Sequence, residues 1–155
     1  MEAEEVCSVL QKCEFFENLS PEDIKRIAAI CAEASFEPGE AVFQQGDYGE
    51  HLYVIASGQI ALERSVDLGQ RKGNVVIGSL GKGRVTGSWS TLLDERHVLM
   101  SSAICRKPTK VLAMKGSDLR RIMVSNLPLG FNVMERFCFL LRDRIQAAYG
   151  AMEKI

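Results

Sequence analysis

The chain has 155 residues, of which 46% are hydrophobic and 25% charged, and its formal net charge at pH 7 is −1. This length suits one domain with its own apolar core. The small net charge excludes a general electrostatic attraction to nucleic acid or to anionic lipid, so we expect neither partner.

The first residues, MEAEEVC, are acidic and lack the basic and then apolar pattern of a signal peptide. No apolar run approaches the roughly 18 residues that a membrane span needs, so we expect a cytoplasmic protein with no membrane partner. Five cysteines, an odd number, match no zinc motif, which favours reduced and mostly buried thiols over a redox sensor. They are Cys7, Cys13, Cys31, Cys105 and Cys138.

The N-terminal part, residues 4–33, is predicted to be helical. A short helix is expected over residues 4–11. A second one begins after Ser20, a good N-cap that is followed by Pro21 and by Asp23 at the capping-box position. Its apolar residues recur at helical spacing and predict one buried face. They are Ile24, Ile27, Ala28 and Cys31.

From residue 34 to about residue 114 the pattern changes to short β-segments separated by glycines. The predicted strands are 34–36, 41–43, 51–56, 59–64, 74–80, 100–105 and 111–114. Several short strands with turn signals at this spacing indicate an all-β barrel or roll.

The C-terminal part, about residues 117–153, returns to a helical pattern. Ser117 is the expected cap of one helix, and Pro128 lies at the start of the last helix. A single apolar stripe is predicted along that last helix: Val133, Phe137, Leu140, Leu141, Ile145 and Ala148. Residues 137–141 are apolar nearly all round, so this helix lies across the roll, pairs with another copy, or does both.

Two stretches, residues 38–40 (PGE) and residues 46–60 (GDYGEHLYVIASGQI), give the chain a family resemblance. They strongly resemble the first half of a cyclic-nucleotide-binding domain, as in the regulatory subunits of cyclic-AMP-dependent kinase and the bacterial catabolite activator. The resemblance covers about residues 15–145. It implies one domain over residues 1–155, mainly β, in which helices flank an antiparallel β-roll of the double-stranded β-helix or jelly-roll type.

The glycines of these stretches are interpreted as corners of the roll and not as ligand contacts. A roll turns sharply every few residues, and glycine accepts positive φ without steric cost. The corners are Gly39, Gly46, Gly49 and Gly58.

The family's ligand pocket is formed by a segment called the cassette, and residues 84–103 match it here. The cassette has a Gly-Glu pair, a short helix, and then an Arg before a strand of small residues. The resemblance implies that backbone N–H groups and the Arg hold the cyclic phosphate, while the Glu accepts from the ribose hydroxyl. Gly87 matches the family's glycine, but Ser88 stands where the family has Glu and Leu99 where it has Arg. The small residues are Ser101, Ser102 and Ala103.

Losing two hydrogen bonds to charged groups would cost roughly 3–6 kcal/mol, or about 10²- to 10⁴-fold in affinity. Hydroxyl groups could surround a phosphate instead, and Arg96 or Arg84 could supply the cation, although Arg96 also fits a solvated loop. Trp89 could stack on a purine or fill the core. The candidate hydroxyl residues are Ser88, Ser90, Ser101 and Ser102.

We expect no catalysis and no metal or cofactor. His51 and His97 are the only histidines, and the sequence has no phosphate-binding loop, nucleophile elbow or HExxH motif. Family transcription factors carry a helix-turn-helix after the long helix. The residues up to Ile155 offer no basic recognition helix, so no nucleic-acid partner is expected.

Two functional hypotheses remain open. In the first, a small molecule such as cyclic AMP or cyclic GMP binds in the cassette and moves the last helix. The candidate ligand-binding residues are Gly87, Ser88, Trp89, Ser90, Leu99, Ser101 and Ser102. The candidate lid or dimer residues are Met134, Phe137 and Leu141. In the second, the domain is degenerate and serves homodimerisation through the C-terminal helix, or binding to an unidentified partner protein.

Overall fold

A computed structural model describes residues 1–154 of the chain. Two helices open this part of the chain, eight strands follow, and two helices close it. The helices are α1 (Ala3–Gln11), α2 (Pro21–Ala28), α3 (Gly116–Ser125) and α4 (Leu127–Met152). The strands are β1 (Cys31–Phe36), β2 (Ala41–Phe43), β3 (His51–Ser57), β4 (Ile60–Asp67), β5 (Lys72–Leu80), β6 (Val85–Gly87), β7 (Ser102–Cys105) and β8 (Thr109–Lys115). A short 3-10 helix, Trp89–Leu93, follows β6.

The strands form two four-stranded sheets, in the orders β1-β8-β3-β6 and β2-β7-β4-β5. Every strand pair is antiparallel. The chain passes repeatedly from one sheet to the other, and only β4 and β5 are neighbours both in sequence and in one sheet. This back-and-forth path builds a double-sheet roll. The predicted antiparallel β-roll with flanking helices is confirmed.

Two apolar clusters hold the molecule together. The inner cluster lies between the sheets and includes Ile55 and Val111 from the first sheet and Leu62 from the second. The outer cluster joins the other face of the first sheet to the helices. Its members include Leu52, Val54, Leu112 and Met114 from the strands and Leu10, Ile24, Leu119 and Val133 from the helices. Because side chains alternate along a strand, β3 and β8 contribute to both clusters.

The predicted cap of α2 is confirmed and extends to the start of α4. The Ser20 hydroxyl accepts a hydrogen bond from the Asp23 backbone N–H across 3.2 Å. The Asp23 carboxylate accepts from the Asn126 side-chain amide, and Asn126 Oδ1 accepts from the Leu129 N–H, each at 3.3 Å. Side-chain caps satisfy the otherwise unpaired donors at a helix start. One network therefore fixes the starts of α2 and α4 together.

Several predicted element boundaries were wrong, and three of them concern the ends of helices or the strand after the cassette. Cys31 does not belong to α2, which ends at Ala28; it begins β1 and pairs with Met114 of β8. The strand predicted to begin at residue 100 begins at Ser102. Helix α3 begins at Gly116, so Ser117 lies inside its first turn and is not the cap. Pairing with a neighbouring strand decided the first of these boundaries, since tertiary contacts override local spacing.

Helix α4 packs against α3 and β5, and its two faces differ. Val133, Phe137 and Leu140 are buried and Leu141 is partly buried, as predicted. Ile145 was predicted on the buried stripe, but 51% of it is exposed. Other large apolar residues of the helix are also exposed: Leu127, Phe131, Phe139, Tyr149 and Met152. The helix therefore covers the roll with one face and leaves a second apolar face open.

Candidate ligand-binding site

The cassette begins at the end of β6, which pairs with β3 in the same sheet. Gly87 pairs with Leu52 and has a φ of 126°. A Cβ atom at residue 87 would lie 3.0 Å from Leu52 Cα and closer still to the His51 carbonyl oxygen. The backbone conformation and the missing side chain are both required here. The assignment of Gly87 to the cassette corner thus has a steric reason.

Ser88 follows β6 directly in the chain and is buried, with 4% of its surface exposed. Its backbone N–H donates to the His51 carbonyl oxygen across 2.9 Å. Its own carbonyl oxygen accepts from the Thr91 hydroxyl across 2.6 Å. These bonds fix the backbone that leads from β6 into the 3-10 helix.

The side chains of Ser88 and Leu99 both lie against Gly49. A Cβ atom at residue 49 would lie 2.8 Å from Ser88 Cβ and 3.1 Å from both Leu99 Cγ and Leu99 Cδ2. Gly39, Gly46 and Gly58 have positive φ, as corners should, but Gly49 does not. The prediction that Gly49 provides a positive φ was therefore wrong. A glycine is needed at this position because Ser88 and Leu99 leave no room for a Cβ atom.

Leu99 is buried at 8% exposure and belongs to the inner cluster together with Phe43. Its backbone N–H donates to the Asp47 carbonyl oxygen across 2.7 Å, and its carbonyl oxygen accepts from the Gly46 N–H across 2.8 Å. Two backbone bonds and apolar packing hold this side chain in place. An apolar group therefore fills the position where the family resemblance implies a cation.

The other serines do not share one environment. The Ser102 hydroxyl accepts from the Gln45 backbone N–H across 2.9 Å, which ties β7 to the end of β2. Ser101 is half-buried just before β7. Ser90 is half-buried in the 3-10 helix, where its carbonyl oxygen accepts from the Glu95 N–H across 3.1 Å. Among these serines, Ser88 has its Cβ atom beside Gly49.

Trp89 lies on the outer side of the first sheet. Its ring centre is 6.0 Å from that of Phe15 and 5.7 Å from that of Phe137 in α4. It packs against the outer cluster, as do Met134 and Leu141, the other two predicted lid residues. Trp89 therefore packs as a core side chain and links the cassette to α4.

The two arginines considered as replacement cations have other partners. Arg84 Nε lies 2.6 Å from the Glu14 carboxylate. The Arg96 guanidinium lies over the Tyr48 ring, 4.5 Å from its centre. Arg96 also lines an open cavity of about 310 Å³ on the outside of the cassette. The other lining residues are Gly49, Glu50, Thr91, Asp94, Glu95, Lys115 and Ser117. We call this the charged cavity.

A second cavity, of about 260 Å³, opens beside Leu99, and we call it the aromatic cavity. The Phe43 and Tyr53 rings are stacked with centres 5.9 Å apart, and the His51 ring lies 6.1 Å from Tyr53. Burial raises the pKa of the Tyr53 hydroxyl above its ordinary value of 10.0. The remaining lining residues are Val42, Asp47, Tyr48, Gly49 and Glu50.

The sequence-based site did not include this row of aromatic side chains. His51 and Tyr53 alternate with Leu52 and Val54 along β3, and residues two apart lie on the same face of a strand. That alternation was the available signal. Phe43 joins them from the other sheet, and no local pattern indicates that contact.

The segment from residue 33 to residue 126 matches the family model of the cyclic nucleotide-binding domain. This segment is more than half of the 155 residues, so the chain belongs to the cyclic nucleotide-binding domain family. The resemblance stated from the sequence is therefore confirmed, and the chain is a regulatory domain of this type.

Two curated relatives illustrate the range of the family. The cyclic AMP receptor protein of Thermus thermophilus is 32% identical over 133 residues, which are 86% of this chain and 57% of the relative. A cGMP-dependent protein kinase of Caenorhabditis briggsae is 25% identical over 142 residues, which are 90% of this chain and 18% of the relative. The chain thus spans little more than half of the first relative and a small part of the second.

Solved structures agree with the fold. The catabolite activator protein of Thermus thermophilus has a TM-score of 0.71 at 30% identity, covering 90% of this chain and 62% of that one. A cyclic nucleotide-binding domain from Methylobacillus flagellatus has a TM-score of 0.78 at 20% identity, covering 99% and 84%. At that lower identity the likeness concerns the fold alone.

Two further observations concern the described part of the chain. In residues 1–154, no helix is both long enough and apolar enough to cross a bilayer. Over the same residues, no three His, Cys, Asp or Glu side chains are grouped as metal ligands.

Proposed function

We propose that this chain is a non-catalytic, ligand-sensing regulatory module with weak or non-standard recognition of the nucleotide phosphate. The observation that carries the proposal is that the side chains of Ser88 and Leu99 both lie against Gly49. A hydroxyl and an isobutyl group stand where the family resemblance implies Glu and Arg. The cassette keeps its backbone and loses the two charged groups.

The expected affinity follows from those two replacements. A hydrogen bond to a charged group contributes about 1.5–3 kcal/mol, so losing two weakens binding by about 10²- to 10⁴-fold. A site that would otherwise bind in the micromolar range then binds on the order of millimolar. Cyclic AMP and cyclic GMP are the ligands to try, because the names of the two curated relatives refer to these nucleotides.

Signal transmission in this proposal runs through Trp89. This residue follows Ser88 directly in the chain, and its ring contacts Phe137 of α4. A ligand that displaces the cassette therefore changes the packing of α4, provided that it binds the two arrangements with different affinity. Met134 and Leu141 pack against the same cluster and would move with Phe137.

Calorimetric titration with cyclic AMP and cyclic GMP tests the proposal, and the fluorescence of Trp89, the single tryptophan, reports on α4. We expect a millimolar dissociation constant together with a change in emission. The Trp89→Phe variant is the matched control: it should keep the heat of binding and lose the optical signal. No heat and no emission change at several millimolar of either nucleotide would remove the sensing function.

A second candidate function is dimerisation of a domain that no longer binds nucleotide. Its support is the open face of α4, on which exposed residues recur every seven positions: Phe131, Cys138, Ile145 and Met152. Such a repeat is typical of paired helices. Tyr149 is 66% exposed and extends the same face.

Sedimentation analysis of the Ile145→Glu variant tests this second candidate. A charge on the open face should abolish a dimer, whereas Gln146→Glu adds the same charge to an adjacent exposed position and should leave it intact. A wild-type chain that is monomeric at high micromolar concentration would count against dimerisation. A dimer without any nucleotide response would favour it over ligand sensing.

A further inference from the structure

The charges around the aromatic cavity are unfavourable for an anion. Its lining includes the carboxylates of Asp47 and Glu50 and, within the part of the chain that the structure describes, no Lys or Arg. Neither carboxylate takes part in an ion pair among residues 1–154. A phosphate at this position would therefore face two carboxylates that form no ion pair.

Glu50 is shared with the charged cavity, whose lining contains cations, whereas Asp47 lines only the aromatic cavity. The Arg96 guanidinium is stacked on Tyr48 and lines the charged cavity together with Asp94 and Glu95. Arg64 donates a hydrogen bond to the Met100 carbonyl oxygen and is not part of the lining of the aromatic cavity. Lys115 also lines the charged cavity. Leu99 occupies the wall of the aromatic cavity itself and offers only apolar contact.

The aromatic side chains in the lining of the aromatic cavity favour a flat ligand. Phe43 and Tyr53 are nearly parallel, with an angle of 24° between their rings, and His51 is inclined by 32° to Tyr53. Aromatic rings bind other rings by offset stacking, and their faces also attract cations. The cavity volume of about 260 Å³ lies just below the roughly 300–1,000 Å³ of ordinary small-molecule sites, so it suits a compact ligand.

We infer that the aromatic cavity selects a compact, planar heteroaromatic molecule that carries no negative charge. This inference rests on the proposed ligand-sensing function and specifies the chemistry of its ligand. The ring system is recognised by Phe43, His51 and Tyr53, while Asp47 and Glu50 disfavour a phosphate. In a purine nucleotide, the base then contributes the affinity and the phosphate reduces it.

Matched titrations of adenosine against cyclic AMP, and of guanosine against cyclic GMP, test this inference directly. Each pair shares base and sugar and differs by the cyclic phosphate. We expect the nucleoside of at least one pair to bind about tenfold or more tightly than its cyclic nucleotide, because the carboxylates act on the phosphate alone. Thermal shift and Trp89 emission give the readouts.

The outcomes separate this inference from the proposed function. A cyclic nucleotide that binds as tightly as its nucleoside would overturn the inference and leave the sensing function in place. If none of the four compounds binds at several millimolar, both are overturned. Weaker binding of the cyclic nucleotides after Arg96→Gln, with unchanged nucleoside binding, would assign the phosphate to Arg96 and also overturn the inference.

Charge removal gives the sharpest variant. Asp47→Asn with Glu50→Gln should reduce the preference for the nucleoside by about tenfold, since two repulsive charges are lost at exposed positions where folding is little affected. Glu95→Gln is the matched control, because it removes an exposed carboxylate from the charged cavity only. An unchanged preference in the double variant would contradict the role of the two carboxylates.

Discussion

The guanidinium of Arg144 in α4 donates a hydrogen bond to the backbone carbonyl oxygen of Val85 in β6, across 2.8 Å. The N–H of the same residue, Val85, donates to the Glu14 carboxylate across 2.9 Å. Burial lowers the pKa of Arg144, although a guanidinium remains charged at neutral pH. The strand that leads into the cassette is therefore held by side chains from both ends of the chain, including the helix proposed to move.

Replacing Arg144 with Leu should destabilise the fold by about 1–3 kcal/mol. The Val85 carbonyl oxygen loses a charged donor in a part-buried setting, and such bonds contribute about 1.5–3 kcal/mol. Urea unfolding measures the effect. Arg121→Leu on α3 is the control, because 80% of its side chain is exposed, and it should change stability by no more than about 0.5 kcal/mol. Equal effects at the two positions would contradict a specific role for Arg144.

Replacing Gly87 with Ala should cost at least about 1–3 kcal/mol of stability. The residue has a φ of 126°, and a methyl group would press on the backbone of His51 and Leu52. Gly81→Ala serves as the matched control, since a Cβ atom there meets nothing within 4 Å. Thermal unfolding of both variants gives the comparison. A Gly87→Ala protein as stable as the wild type would contradict the close approach of residue 87 to the backbone of β3.

The double variant Ser88→Glu with Leu99→Arg should create ordinary cyclic-nucleotide binding. The two charged groups restore an acceptor for the ribose hydroxyl and a cation for the phosphate. Affinity for cyclic AMP or cyclic GMP should then rise by about 10²- to 10⁴-fold over the wild type, as measured by calorimetry.

Leu99→Met is the control for this double variant, because it changes the shape of the side chain without adding charge. It should leave nucleotide affinity at the wild-type level. If Leu99→Met gained as much affinity as the double variant, packing around Gly49 and not charge would govern binding. Circular dichroism should show the same β-rich fold in all three proteins.

Stability should fall steeply at alkaline pH because of one buried thiol, Cys13, and one half-buried thiol, Cys31. Burial raises the pKa of Cys13 and of Cys31 from the ordinary 9.0 to about 12. Above pH 9 the unfolded chain loses these protons while the folded chain keeps them, so their contribution is complete below pH 9 and is lost towards pH 12. Each thiol should reduce the free energy of unfolding by about 1.4 kcal/mol per pH unit in that window.

The Cys13→Ala variant isolates one of these thiols. Between pH 9 and 11 its unfolding free energy should fall less steeply than that of the wild type, by about 1.4 kcal/mol per pH unit. Cys138 is exposed, so Cys138→Ala should reproduce the wild-type slope. Identical slopes in all three proteins would show that Cys13 does not keep its proton in the folded state.

Much of the fold followed from local sequence patterns. The positive φ of Gly39, Gly46 and Gly58 was predictable because a corner is a property of a few consecutive residues. The cap at Ser20 was predictable for the same reason. The helical assignment of Cys31 failed because its pairing with Met114 lies far along the sequence.

The candidate site shows the same division. The sequence by itself determined that a serine and a leucine stand at residues 88 and 99, because residue identities can be read directly. Only the tertiary structure decided that these two side chains both lie against Gly49 and that Phe43 stacks on Tyr53 from the opposite sheet. Such contacts depend on how distant segments pack, and local propensity carries no information about that packing.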